Sequence, residues 1–122
     1  MSIKDEYTAI LQQRLKENGI DDTPDYWETS PAIKAEIELF SRNLQETVQF
    51  LDNDCTAEQL IWLSEVFEEI SANLQSWEFI DALNRASQRF PKHKERFSAC
   101  IPFAEGQLND EVYRQRYPDF GK

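Results

Sequence analysis

Glu58, Trp62, Glu65 and Glu69 follow one another at spacings of 4, 3 and 4. On an α-helix that rhythm lays three carboxylates and one indole along a single stripe. The stripe lies largely opposite the apolar row Leu60, Leu63, Phe67 and Ile70. Carboxylates pair bidentately with arginine, and aromatic side chains concentrate at the centres of protein interfaces. The pattern therefore fits a surface that grips a basic partner. The competing reading is that another helix covers Trp62. Residues 21–28 repeat the composition with Asp21, Asp22, Asp25, Tyr26, Trp27 and Glu28. They form a second candidate contact, unless Tyr26 and Trp27 plug the end of a bundle. The pairs Glu65/Glu69 and Glu65/Glu68 are one helical turn apart and have the makings of an acid–base couple of the glycosidase kind. Such pairs are more commonly a solvated helix face.

Other chemistry is poorly provided for. Nucleotide-binding loops need clustered glycines, whereas the three glycines here stand at 19, 106 and 121. Zinc sites draw on about four Cys, His or acidic ligands, and this chain has two distant Cys and one His. A calcium loop starting at Asp21 fails, because Tyr26 takes the sharp-turn glycine position and Ala32 that of the bidentate Glu. His93 and Cys100, if on one helix, share a face but lie roughly 10 Å apart along its axis. That is too far for a nucleophile and its base. No cofactor, metal site or catalytic residue is expected, and the chain reads as a binding protein rather than an enzyme. Cys55 and Cys100 are expected as free structural thiols.

The elements that must carry the stripe are helices. Tyr7, Ile10, Leu11 and Leu15 trace a first apolar face, stopped at Gly19. Ser30 and Pro31 read as an N-cap and first helical residue. Ile33, Ile37, Phe40, Leu44, Val48 and Leu51 then predict one long second helix. Thr56 and Gln59 match a capping box opening a third helix, which runs through about Leu74. Ser76 caps a fourth that ends at Pro91. A fifth carries Phe97, Cys100 and Ile101, and Pro102 is expected to end or kink it. Asn109 or Asp110 opens a short last helix through Tyr117. The expectation is an all-α, single compact domain spanning residues 1–122, with five to six helices.

Charge is unevenly distributed along that domain. The formal net charge is −10, and residues 20–70 hold 13 acids against Lys34 and Arg42. An acidic surface repels nucleic acid and favours a basic protein, although negative charge also serves solubility. The run Lys92, His93, Lys94, Arg96 is too short, in so acidic a chain, to suggest nucleic-acid binding. Apolar runs of at most four residues, the longest Leu60-Ile61-Trp62-Leu63, span no membrane, and the first residues lack a signal-peptide core. A cytoplasmic location is expected.

The stretch Trp62-Leu63-Ser64-Glu65-Val66-Phe67-Glu68-Glu69-Ile70-Ser71-Ala72-Asn73-Leu74-Gln75-Ser76, continuing through Glu78-Phe79-Ile80 and Leu83 to Phe90-Pro91, resembles small helical immunity proteins of bacterial contact-dependent growth inhibition systems. The resemblance covers about the middle quarter of the chain and rests on a helix–Ser–helix pattern. It implies a cytoplasmic protein that binds and neutralises the C-terminal toxin domain of a cognate effector. Many such toxins are RNases with basic grooves, which an acidic face would complement. No contact residue transfers by name. Two further functions fit the same composition: an acidic adaptor or regulatory protein for another basic partner, and a small carboxylate enzyme using Glu65 and Glu69 or Asp21 and Asp25.

Overall fold

The computed structural model describes residues 3–20 and 31–120, the side chains of 15–20 excepted. Among these residues it is all-α, without strands. Eight α-helices follow in order: α1 Ile3–Ile20, α2 Pro31–Ser41, α3 Leu44–Gln49, α4 Ala57–Ser64, α5 Phe67–Leu74, α6 Trp77–Gln88, α7 Lys94–Glu105 and α8 Asp110–Arg116. A π-helical turn, Phe50–Asp54, extends α3, and a 3-10 turn, Pro91–His93, precedes α7. Helix α5 packs on α2 and α7, α6 on α7 and the π turn, and α1 lies along α2.

The count exceeds five to six because two expected helices are each divided. The long second helix breaks at Arg42–Asn43, where Asn43 accepts the Glu46 amide as an N-cap. The apolar phase shifts with it. Phe50 and Leu51 are fully buried, whereas Leu44 and Val48 are only half-buried. The third helix breaks at Glu65–Val66. Ser64 Oγ donates to the Ile61 carbonyl at 2.6 Å, taking the acceptor an unbroken helix would offer to the Glu65 amide. Glu65 N and Val66 N turn instead to the carbonyls of Trp62 and Leu63. Val66 adopts φ −123°, ψ 15°, and α5 restarts with Phe67 buried.

Capping elsewhere follows the sequence. Thr56 and Gln59 form both bonds of the capping box. Ser76 caps α6 through the Glu78 amide, and Asn109 caps α8 through that of Val112. Two stops fail. Gly19 lies within α1, which runs on to Ile20. Pro102 lies inside α7, which continues to Glu105. Its ring is exposed, so the helix forgoes one amide donor without crowding the core. The core between the helices gathers Tyr7, Phe40, Phe50, Leu60, Leu63, Phe67, Ile70, Phe79, Leu83 and Phe97, all essentially inaccessible.

Candidate functional site

Helix α4 presents Glu58 and Trp62 one turn apart, the first exposed and the second half-buried. The break at Glu65–Val66 places Glu65 in the turn after α4 and Glu69 on α5. The four residues therefore span two helices and a turn rather than one helical face. Glu69 is half-buried. Asp21, Asp22, Asp25, Tyr26 and Glu28 lie outside the described residues.

Part of this surface already has a partner within the chain. Arg14, from α1, is 2% exposed and forms ion pairs with Glu65 and, at 3.0 Å, with Glu36 of α2. Its guanidinium carbon sits 4.7 Å from the centre of the Trp62 ring. Tyr7 donates its hydroxyl hydrogen to the other Glu36 oxygen at 2.8 Å, and that hydroxyl lies 3.3 Å from the Gln59 carbonyl. One polar chain thus runs Tyr7–Glu36–Arg14–Glu65, with Trp62 against its cationic member. It ties α1 to α2 and α4. Tyr7 is also locked among rings, edge-on to Phe40 at 4.8 Å and to Phe50 at 5.8 Å.

Burial dominates the electrostatics of this chain. Glu36 is wholly inaccessible. Desolvation pushes its carboxyl up to about 7, against the opposing pull of Arg14 and the Tyr7 hydroxyl. Burial, reinforced by the Glu36 carboxylate, holds the Tyr7 phenol well above its ordinary range, so it remains a donor. A perturbed carboxyl beside a buried cation is a common mark of a reactive site. Here, however, Tyr7, Arg14 and Glu36 are each at most 2% exposed, and their polar atoms face one another. Among the described residues the cluster acts as a fastening within the core, joining α1 to α2 and α4.

Sequence reasoning passed over Arg14 and Glu36, yet a signal existed. Arg14 follows Tyr7 by seven residues and Leu11 by three, on the apolar stripe of α1. Glu36 stands between Ile33 and Phe40 on the stripe of α2. Opposite charges on the core faces of consecutive helices point to a buried pair.

The remaining reactive groups are dispersed. Cys55 is buried, its thiol hydrogen-bonded to the Thr56 carbonyl at 3.3 Å, and burial pushes its pKa up to about 12. Neither Cys55 nor Cys100 is in a disulfide. His93 lies beside the Phe97 ring. No group of three metal-ligating side chains occurs among the described residues, and no helix among them is long and apolar enough to cross a membrane. An open groove of about 420 Å³ lies between α2 and Asn73 of α5 and carries Lys34, Glu38 and Arg42. Its charges alternate along α2 instead of converging on one point.

Beyond the internal network stand Glu38, Glu46, Asp54, Glu58 and Glu68, all exposed and in no salt bridge among the described residues. They are spread from α2 to α5. Comparison with protein families, curated proteins and solved structures finds no match to the chain.

Proposed function

We propose that this chain is an immunity-type protein that binds and neutralises a basic, nuclease-type toxin domain by stoichiometric occlusion. The observation that carries the reading is the set of exposed carboxylates, Glu38, Glu46, Asp54, Glu58 and Glu68, none of which forms a salt bridge among the described residues. A nuclease groove that holds phosphates is lined with cations, and carboxylates from an inhibitor occupy the same positions. Long-range attraction between the two surfaces speeds capture. Glu58, beside Trp62 on α4, supplies a charge next to an aromatic anchor.

The network behind the stripe decides which substitutions test this. Glu65→Lys sets a cation against the buried Arg14 and confounds binding with folding. Glu58→Lys and Glu68→Lys alter exposed side chains in the first turns of α4 and α5, where each reversal costs about 0.3–1 kcal/mol against the helix dipole, so circular dichroism checks the fold alongside binding. The experiment mixes the chain with the C-terminal domain of the protein whose gene lies immediately upstream, first assayed for nuclease activity, and measures complex stoichiometry and residual activity. A one-to-one complex that silences the nuclease is expected. The double reversal should slow association and weaken it by about tenfold or more, most strongly at low salt. Full protection by the double variant at low salt removes the acidic surface from the mechanism.

A further inference from the structure

The last helix offers a second surface, of different character. Helix α8 has seven residues and buries none of them fully. A helix so short is not stable alone and depends on tertiary contacts. Those contacts are made by Trp77 at the start of α6. Its indole N–H donates to the Val112 carbonyl at 2.8 Å, and Arg116 lies over its ring at 4.5 Å. Arg116 is itself held by two bonds to Asp81, 2.8 and 3.0 Å long.

Around this anchor Tyr113 stacks on Tyr117 at 5.0 Å and meets Phe120 at 4.7 Å. Arg114 Nε donates to the Phe120 carbonyl at 2.9 Å, fixing the turn that follows the helix. Yet Tyr117 is 47% exposed and Phe120 44%. Large aromatic groups are thus ordered and left in water. Preordered aromatic side chains lose little entropy when a partner covers them, which is the behaviour of interface anchors.

Charge says which partner. Residues 1–70 hold sixteen acids and five bases, whereas residues 71–122 hold seven acids and eight bases. A basic protein is drawn to the first half and finds no excess negative charge around the aromatic face. Two copies of this chain repel through their acidic halves and meet most readily where charge is balanced. Helix α8 is also self-complementary. Asp110 and Glu111 occupy its first turn, Arg114 and Arg116 its last. Arg116 is already paired with Asp81, so antiparallel crossing about a two-fold axis sets the acidic end of each copy against Arg114 of the other.

We propose that two copies of this chain associate about a two-fold axis through α8 and the turn after it, with Tyr117 and Phe120 of each copy covering those of the other. The surface uses none of the five carboxylates assigned to the toxin, so the two proposals stand or fall separately. The test is sedimentation equilibrium of the full chain over about 10 μM to 1 mM, the range of weak to moderate complexes. A monomer–dimer equilibrium is expected within that range. Tyr117→Ser with Phe120→Ser should give a monomer throughout, with unchanged far-ultraviolet circular dichroism. A second arm uses Glu111→Lys, an exposed side chain in no hydrogen bond or ion pair among the described residues, with circular dichroism to check that α8 survives the reversed charge in its first turn. It should raise the dissociation constant about tenfold, since it sets like charges at the crossing. A wild-type chain that stays monomeric at the highest concentration overturns the proposal, as does a dimer that all these substitutions leave unchanged.

Discussion

At the scale of single residues, the central fact is that Glu36 is buried beside a cation and still has its carboxyl pushed up to about 7. The sign of the consequence follows from linkage. The folded pKa lies above the ordinary value of 4.5, so the native state binds the extra proton between those values. The stabilising contribution is complete below 4.5 and is lost as pH rises through 7. Glu6 and Asp81 act oppositely and in another window. Arg42 and Arg116 hold their carboxyls low, so their contributions are present above the ordinary carboxylate range and lost in acid. Denaturant unfolding at pH 5, 6, 7 and 8 should therefore show wild-type stability falling by up to about 3 kcal/mol, at roughly 1.4 kcal/mol per pH unit. Glu36→Gln should flatten that slope, whatever it does to absolute stability. Parallel profiles for the two proteins would refute a titrating Glu36. The acids that drew attention in the sequence were those at helical spacing on an outer stripe. Arg14 and Glu36 escaped because charge is usually read as surface, and only their placement on apolar stripes marks them as buried.

Helices were legible where side chains cap them and less so where backbone bonds compete. Thr56, Ser76 and Asn109 carry their meaning locally, and each forms its bond. The breaks after Ser41 and Ser64 depend on tertiary context: a polar side chain takes a backbone partner and buried residues fix the new phase. Gln75 is the sharpest case. It ends α5 at φ 48°, ψ 57°, a left-handed position usual for glycine. Its side chain explains the choice. Nε2 donates to the Ala72 and Gln107 carbonyls at 3.0 and 2.8 Å, and Oε1 accepts the Asn109 amide at 2.7 Å. One amide thus joins the end of α5 to the turn between α7 and α8. Gln75→Gly relieves about 1 kcal/mol of backbone strain but deletes these bonds, whereas Gln75→Ala deletes them and keeps the strain. The expected order of stability in urea is wild type, then Gln75→Gly, then Gln75→Ala lower by about another 1 kcal/mol. A glycine variant more stable than wild type would mean that the amide clamp contributes less than the strain it accompanies.

For the whole molecule, apolar spacing conveyed the helical class and composition the imbalance of charge, while the acidic residues 21–28 lie outside the described residues. Single-sequence spacing also overstated the continuity of the Glu58–Glu69 stripe, since the two-residue break at Glu65–Val66 redirects everything after it. The charge imbalance itself leads to a measurable opposition. Arg42–Glu6, Arg85–Asp52 and Arg116–Asp81 are partly exposed pairs with closest approaches of 2.9, 3.0 and 2.8 Å. Such pairs contribute about 0–1 kcal/mol each, and salt weakens them. Against them stands the mutual repulsion of sixteen acids in the first seventy residues, only five bases opposing. Salt weakens that as well, and repulsion is stronger in the compact state than in the expanded unfolded chain. The buried Arg14–Glu36 pair is shielded from ions and contributes little to the change. Repulsion among many charges should outweigh three surface pairs. Raising sodium chloride from low to physiological concentration, where the screening length shrinks to about 8 Å, should then raise the melting temperature by about 2–5 °C. The scan is run at one dilute protein concentration, so that self-association does not enter. A melting temperature that falls with salt would show the ion pairs to be the larger effect. The exposed carboxylates would then be compensated within the fold rather than held in reserve for a basic partner.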